Sequence, residues 1–192
     1  MPFEADSRVR PPTAITGDRS ELATVFADEL AFRAWYDRSL PNVYGYLFHR
    51  CGRNPELAED LTQQAFVEAV RSHGRFRGQA EATTWVIGIA RHKLVDHFRR
   101  AERDTRRLAA LSAQELGDAG RRGSTPPTMP DDIDDALAIL PALQRAVLVL
   151  HYMDQLSVRE VAHSIGKSEA ATASLLARGR DAFRQAYQGT DR

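Results

Sequence analysis

The sequence predicts an all-α protein made of two small helical domains joined by a flexible linker, the second of them a helix-turn-helix domain. Three observations lead there. No stretch alternates apolar and polar residues at a period of two, the mark of a half-buried strand, and no internal repeat is present. Apolar residues recur instead at helical spacing in several segments. Between them, Gly117 to Pro130 reads GDAGRRGSTPPTMP, a concentration of residues that resist regular structure. Fully extended, such a linker reaches about 45 to 50 Å, enough for two domains to grip separate sites. The expected organisation is a tail over 1–20, a helical domain over 21–116, the linker over 117–130 and the helix-turn-helix domain over 131–188.

Taken in order, Met1 to Ser20 combines Pro, Gly, Thr and charge without periodicity and reads as a mobile tail. A first helix is expected from about Glu21 to Arg38 and a second from about Asn42 to Cys51, with Gly52 to Asn54 as the turn. Pro55 then opens a third helix to about Ser72, whose core stripe is Leu57, Ala58, Leu61, Ala65 and Ala69. Asp60, Gln63, Phe66 and Val67 lie off that stripe and form a second face of mixed chemistry, suited to a helical protein partner. The same residues also fit a solvated face with one stray aromatic.

After a Gly- and Arg-containing loop, Trp85 to Arg100 reads WVIGIARHKLVDHFRR. At about 100° per residue Val86, Ile87, Ala90, Leu94 and Phe98 share one stripe, while Trp85, His92, Lys93, Arg99 and Arg100 line the other side. An indole among cations can stack on an unpaired base while the cations hold phosphates. The pattern equally allows Trp85 to fold onto a neighbouring helix with the cations as a solvated face. This helix continues with partial spacing through Leu108, Leu111 and Leu116.

In the second domain, Asp131, Asp132, Asp134 and Asp135 suit the positive end of a helix running to Leu140. Ala142 to Met153 is dense in apolar residues. Ser157 and Glu160 form a capping box for a short helix, Val158 to Ile165. Gly166 ends it, and Ser168 caps a longer helix from Glu169 to about Tyr187. Two capped helices with small Ala162 and a glycine four positions later spell a helix-turn-helix, or failing that an ordinary helical hairpin.

Net charge is formally zero, yet from Arg91 to Arg107 seven cations face only Asp96, Glu102 and Asp104. Position outweighs the sum. Cys51 is the only cysteine, so an internal disulfide is excluded, and with His49 it supplies too few ligands for a metal. No metal and no cofactor is expected. Neither a signal-peptide pattern nor a membrane-length apolar run occurs, so no membrane insertion and a cytoplasmic location are expected. No nucleophile–base pair, paired carboxylates or phosphate cradle points to an enzyme.

Four phrases together carry a resemblance: AEDLTQQAFVEAV at Ala58 to Val70, RFRG at Arg75 to Gly78, TWVIGIARHKLVDHFRR at Thr84 to Arg100, and LPALQRAVLVLHYMDQLSVREVAHSIGKS at Leu140 to Ser168. From Leu22 to Tyr187 the chain resembles the bacterial extracytoplasmic-function sigma factors, the minimal kind with regions 2 and 4. The resemblance implies a protein that binds core RNA polymerase, directs it to promoter DNA and assists opening, without a catalytic group. It carries polymerase binding onto Asp60, Gln63, Phe66 and Val67. It carries minus-ten binding onto Thr84, Trp85, Arg91, His92, Lys93, Arg99 and Arg100, with the loop Gly78 to Thr84 as the place for a flipped base. An anti-sigma factor is a common partner in this group.

The chain departs from the family pattern in two places. Ala82 and Thr83 stand where an aromatic and an arginine are frequent, and Glu81 adds negative charge. The recognition helix offers Ala170, Ala171, Thr172, Ala173, Ser174, Leu175, Leu176 and Ala177, leaving Lys167, Ser168, Ser174, Arg178 and Arg180 for the minus-thirty-five element. Weak or unusual recognition is expected there, or else a close-packed protein-binding face. Two rival readings remain at this point: a helix-turn-helix regulator acting on duplex DNA without polymerase, and a sigma-like decoy that binds partners without directing initiation.

Overall fold

The structure, a computed structural model, describes residues 19–115 and 133–188. Of the tail expected over 1–20, residues 1–18 lie outside the described residues, as does the linker over 117–130, while Arg19 and Ser20 belong to the first helix. Eight α-helices and no strand occur among those described.

The first helical boundary falls at Asp28. α1 (Arg19–Ala27) ends there, and the Asp28 carboxylate accepts the Ala31 N–H at 2.7 Å to cap α2 (Glu29–Arg50). Asp28 thus supplies an acceptor to an orphan amide, as N-caps do. The break expected around Pro41 is absent, because α2 runs through that proline. Trp35, Ser39, Val43 and Leu47 are buried at four-residue spacing on both sides of it. Packing of this continuous stripe outweighs the cost of about 3 kcal/mol for an interior proline.

Asn54 caps α3 (Pro55–Ser72) through the Leu57 N–H at 3.0 Å, with Pro55 in the first turn. α4 spans 34 residues, Ala82–Glu115, beginning three residues before the tryptophan. Val86, Ala90, Leu94, Val95 and Phe98 are buried against α2 and α3, and Ile87 is half-buried. Cys51, at the end of α2, is 2% exposed. Burial pushes its thiol up to about 11, so it stays protonated and packs as a small apolar group.

The second unit holds α5 (Ile133–Ala138), α6 (Ala142–Leu148), α7 (Val158–Ile165) and α8 (Glu169–Gln188). The helix expected from Ala142 to Met153 loosens after Leu148 into a π turn, Val149–Met153. α6 and α8 cross tightly: a Cβ on Gly179 would lie 3.3 Å from the Gln144 carbonyl and the Leu148 side chain. The capping box forms as read, with Ser157 N–H donating to Glu160 at 2.8 Å and Glu160 N–H to Ser157 Oγ at 3.3 Å. Gly166 adopts φ +65°, a conformation costly for residues with a side chain, and Ser168 Oγ accepts the Ala171 N–H at 3.2 Å.

The two units are docked. α4 packs on α6 and α7, and apolar residues of both units join one core. A buried polar network fixes the join: Arg50 Nε and Nη2 donate to Asp154 Oδ1 at 2.8 and 2.6 Å, and Tyr46 O–H donates to Oδ2 at 2.7 Å. The side chains of Arg50 and Asp154 are only 13% and 4% exposed. Burial, reinforced by the Asp154 charge, raises the Tyr46 hydroxyl well above its ordinary range, so it remains a donor. Nearby, Arg53 pairs with Asp134 at 2.7 Å.

Candidate nucleic-acid and polymerase surfaces

The outward strip of α4 is the basic surface that the helical period foretells. Thr84, His92, Arg99 and Arg100 are exposed, and Trp85 and Arg91 are half-buried. Trp85 is less free than its period suggests. Its ring packs on Phe76 at 5.3 Å between centroids, leaving part of the indole available beside the loop that enters α4. The loop itself is shorter than expected: Ala82, Thr83 and Thr84 belong to the first turn of the helix. Thr83 is buried and shares a hydrogen bond with Ser39 at 3.0 Å, which anchors that turn to α2.

Lys93 departs from the expected strand-binding set. Its ammonium donates to Glu68 of α3 at 3.2 Å and lines a groove of about 310 Å³ with Gln63, Gln64, Val67, Glu68 and Arg71. The structure therefore joins Lys93 to the face expected to meet a protein. On that face Asp60, Gln63 and Val67 are exposed, as is Val70, which sequence reasoning passed over. Phe66 is a correction. It is 5% exposed, with its ring 5.7 Å from Trp35 and 4.6 Å from Tyr36. It sits one position past Ala65 and widens the buried stripe, because α2 presents an aromatic cluster that fills its pocket.

In the second unit the candidate residues divide between two sides. Ser174 and Arg178 are exposed on α8 together with Ala170, Ala171 and Ala173, whereas Thr172 is fully buried. Ser168 uses its hydroxyl as the cap, and Lys167 faces α4. Arg180 belongs elsewhere. Two residues beyond Arg178 it is turned about 200° around the helix, and it lines a largely apolar groove of about 690 Å³ with Leu148, Tyr152, Met153, Phe183 and Tyr187. The period alone could have separated Arg178 from Arg180. Among the described residues no cluster of three or more His, Cys, Asp or Glu side chains could hold a metal, and no helix is long and apolar enough to cross a membrane.

A helical unit with a basic, partly aromatic helix, followed by a capped helix-turn-helix, is the architecture of an RNA polymerase sigma factor. Residues 35–104 match the Sigma-70 region 2 family and residues 131–183 match Sigma-70, region 4. The chain is 32% identical over 128 residues to the ECF RNA polymerase sigma factor SigC of Mycobacterium tuberculosis, covering 66% of this chain and 68% of that protein. It is 26% identical over 163 residues to SigX of Bacillus subtilis, covering 82% and 84% of the two chains. Among solved structures, the sigma factor RpoE of Bartonella quintana, in complex with the anti-sigma factor NepR, aligns with a TM-score of 0.49 at 20% identity, over 84% of this chain and 98% of that one. The chain belongs to the extracytoplasmic-function sigma factor family, and it is an RNA polymerase sigma factor.

Proposed function

We propose that this sigma factor divides its labour among three surfaces. The α3 face built from Asp60, Gln63 and Val67, extended by Val70 and Lys93, meets core polymerase. The α4 strip of Thr84, Trp85, His92, Arg99 and Arg100, flanked by Arg91, holds the minus-ten region, the indole stacking on an unpaired base and the cations contacting phosphates. Ser168, Ser174 and Arg178, with Lys167 at the turn, meet the minus-thirty-five region. The observation that carries this reading is the separation of the two main faces: α3's exposed side chains and α4's outward cations project from neighbouring helices packed on one core.

The function is one of binding and positioning without covalent catalysis, exercised where polymerase and promoter DNA meet, in the cytoplasm. Contact with the minus-thirty-five element is weak, since an alanine-rich surface offers few donors to base edges or phosphates. The apolar groove beside Arg180 suits an amphipathic helix of a protein partner. Related sigma factors are seen with anti-sigma factors, and such an inhibitor is a fitting occupant for this chain as well.

Run-off transcription tests the reading. Purified core enzyme plus this protein should give specific transcripts from promoters of its own genome, more readily on pre-melted templates. Binding to core with no transcript from any promoter would favour a decoy, and tight binding to a symmetric duplex without core would favour a regulator.

A further inference from the structure

Docking of the two units creates a cleft of about 540 Å³ between the second half of α4 and the turn of the helix-turn-helix. Arg99, Arg100, Arg103 and Arg106 line one wall and Lys167 the other. The acids available there are already engaged: Glu102 pairs with Arg106 at 2.8 Å, and Asp96 lies 3.7 Å from Arg99. Arg100, Arg103 and Lys167 have no carboxylate partner among the described residues. Three unneutralised cations, drawn from both units, therefore converge on one concave space.

We propose that this cleft binds a compact polyphosphate, inorganic or carried by a nucleotide, which bridges the two units. Its volume falls within the range of about 300 to 1,000 Å³ usual for small-ligand sites. Guanidinium forks match phosphate oxygens in pairs, and the lysine adds a point charge. The two units that form its walls are also joined by the buried Arg50–Asp154–Tyr46 network. The Arg99 guanidinium reaches across to the turn of the second unit, so close over Gly166 that a Cβ there would overlap it. Leu143 and Ile165, both buried, form the apolar floor of the cleft. A bound polyphosphate occupies Arg99 and Arg100, two of the side chains proposed above to hold promoter DNA, and so opposes engagement of the promoter.

Calorimetric titration of the full chain with tripolyphosphate, and separately with GTP, tests the site. Loss of one charge-assisted contact corresponds to about a tenfold weakening. Arg103→Ala and Lys167→Ala should each weaken tripolyphosphate by that factor, whereas Arg107→Ala, an exposed cation of α4 outside the cleft, should change it less than about twofold. GTP binding more tightly than tripolyphosphate identifies a nucleotide as the natural source; equal affinity identifies the inorganic chain. An equal loss for all three variants, or no saturation at millimolar probe, overturns the proposal. Run-off activity is measured independently, so failure of this site leaves the sigma-factor assignment standing.

Discussion

α4 and α8 are both long amphipathic helices proposed to face DNA, yet they carry opposite surfaces. α4 presents an indole, a histidine and arginines, while α8 presents Ala170, Ala171, Ala173 and Ser174 with Arg178 as the exposed cation one turn on. The first helix can bind phosphates and stack a base. The second can place itself in a groove but has few groups with which to hold on. On the proposed reading, affinity for the promoter resides mainly in the front unit, and the helix-turn-helix contributes position. The contrast extends to the supporting structure: α8 is braced by a close crossing at Gly179, whereas α4 is anchored through its buried stripe and the Thr83–Ser39 hydrogen bond.

The largest expected effect tests whether the two helices are held in one body. Asp154→Ala leaves the buried Arg50 guanidinium unpaired, which should cost about 3 to 5 kcal/mol. Chemical denaturation should report the loss and small-angle scattering an expanded molecule. An unchanged radius of gyration would assign docking to the apolar contacts of α4 with α6 and α7.

Trp85→Ala comes next. Removing the stacking platform should cost about 1 to 3 kcal/mol in open-complex formation, with binding to core unchanged. Trp85→Phe should retain most of the effect and the packing on Phe76. Equal losses in opening and core binding would erase the division between α3 and α4.

Ser157→Ala removes half of the capping box and should destabilise the second unit by about 1 kcal/mol, read as a lower thermal midpoint. The smallest effect is the sharpest comparison within α8. Arg178→Ala should flatten the salt dependence of duplex binding by about one unit of slope, as loss of one phosphate contact does. Arg180→Ala, on the far side of the helix, should leave that slope unchanged.

Much of this was legible in the chain. The capping box at Ser157 and Glu160, the left-handed Gly166, the Ser168 cap and the buried stripe of α4 follow from local chemistry and spacing, and the structure contains each. The proline at 41 misled, because local preference argues for a break while a stripe of buried residues argues for continuity. Phe66 lies within the buried stripe, which its spacing does not show, since the breadth of a buried stripe depends on what the neighbouring helix offers. Lys93 and Arg180 resemble the other cations of their helices in type, yet Lys93 lines a groove with α3 and Arg180 an apolar groove on the far side of α8.

Residue spacing and capping chemistry set the helices, their polar and apolar sides and the uneven distribution of charge, because those are properties of a short stretch of backbone and its own side chains. The tertiary structure alone decided that Asp154 of one unit would receive Arg50 and Tyr46 of the other, and that Lys167 would come to face the arginines of α4. These partners are separated by more than a hundred residues in the first case and by more than sixty in the second. No local pattern records which distant charge will lose its water when two surfaces close. That choice is made by the summed packing of the helices that carry them.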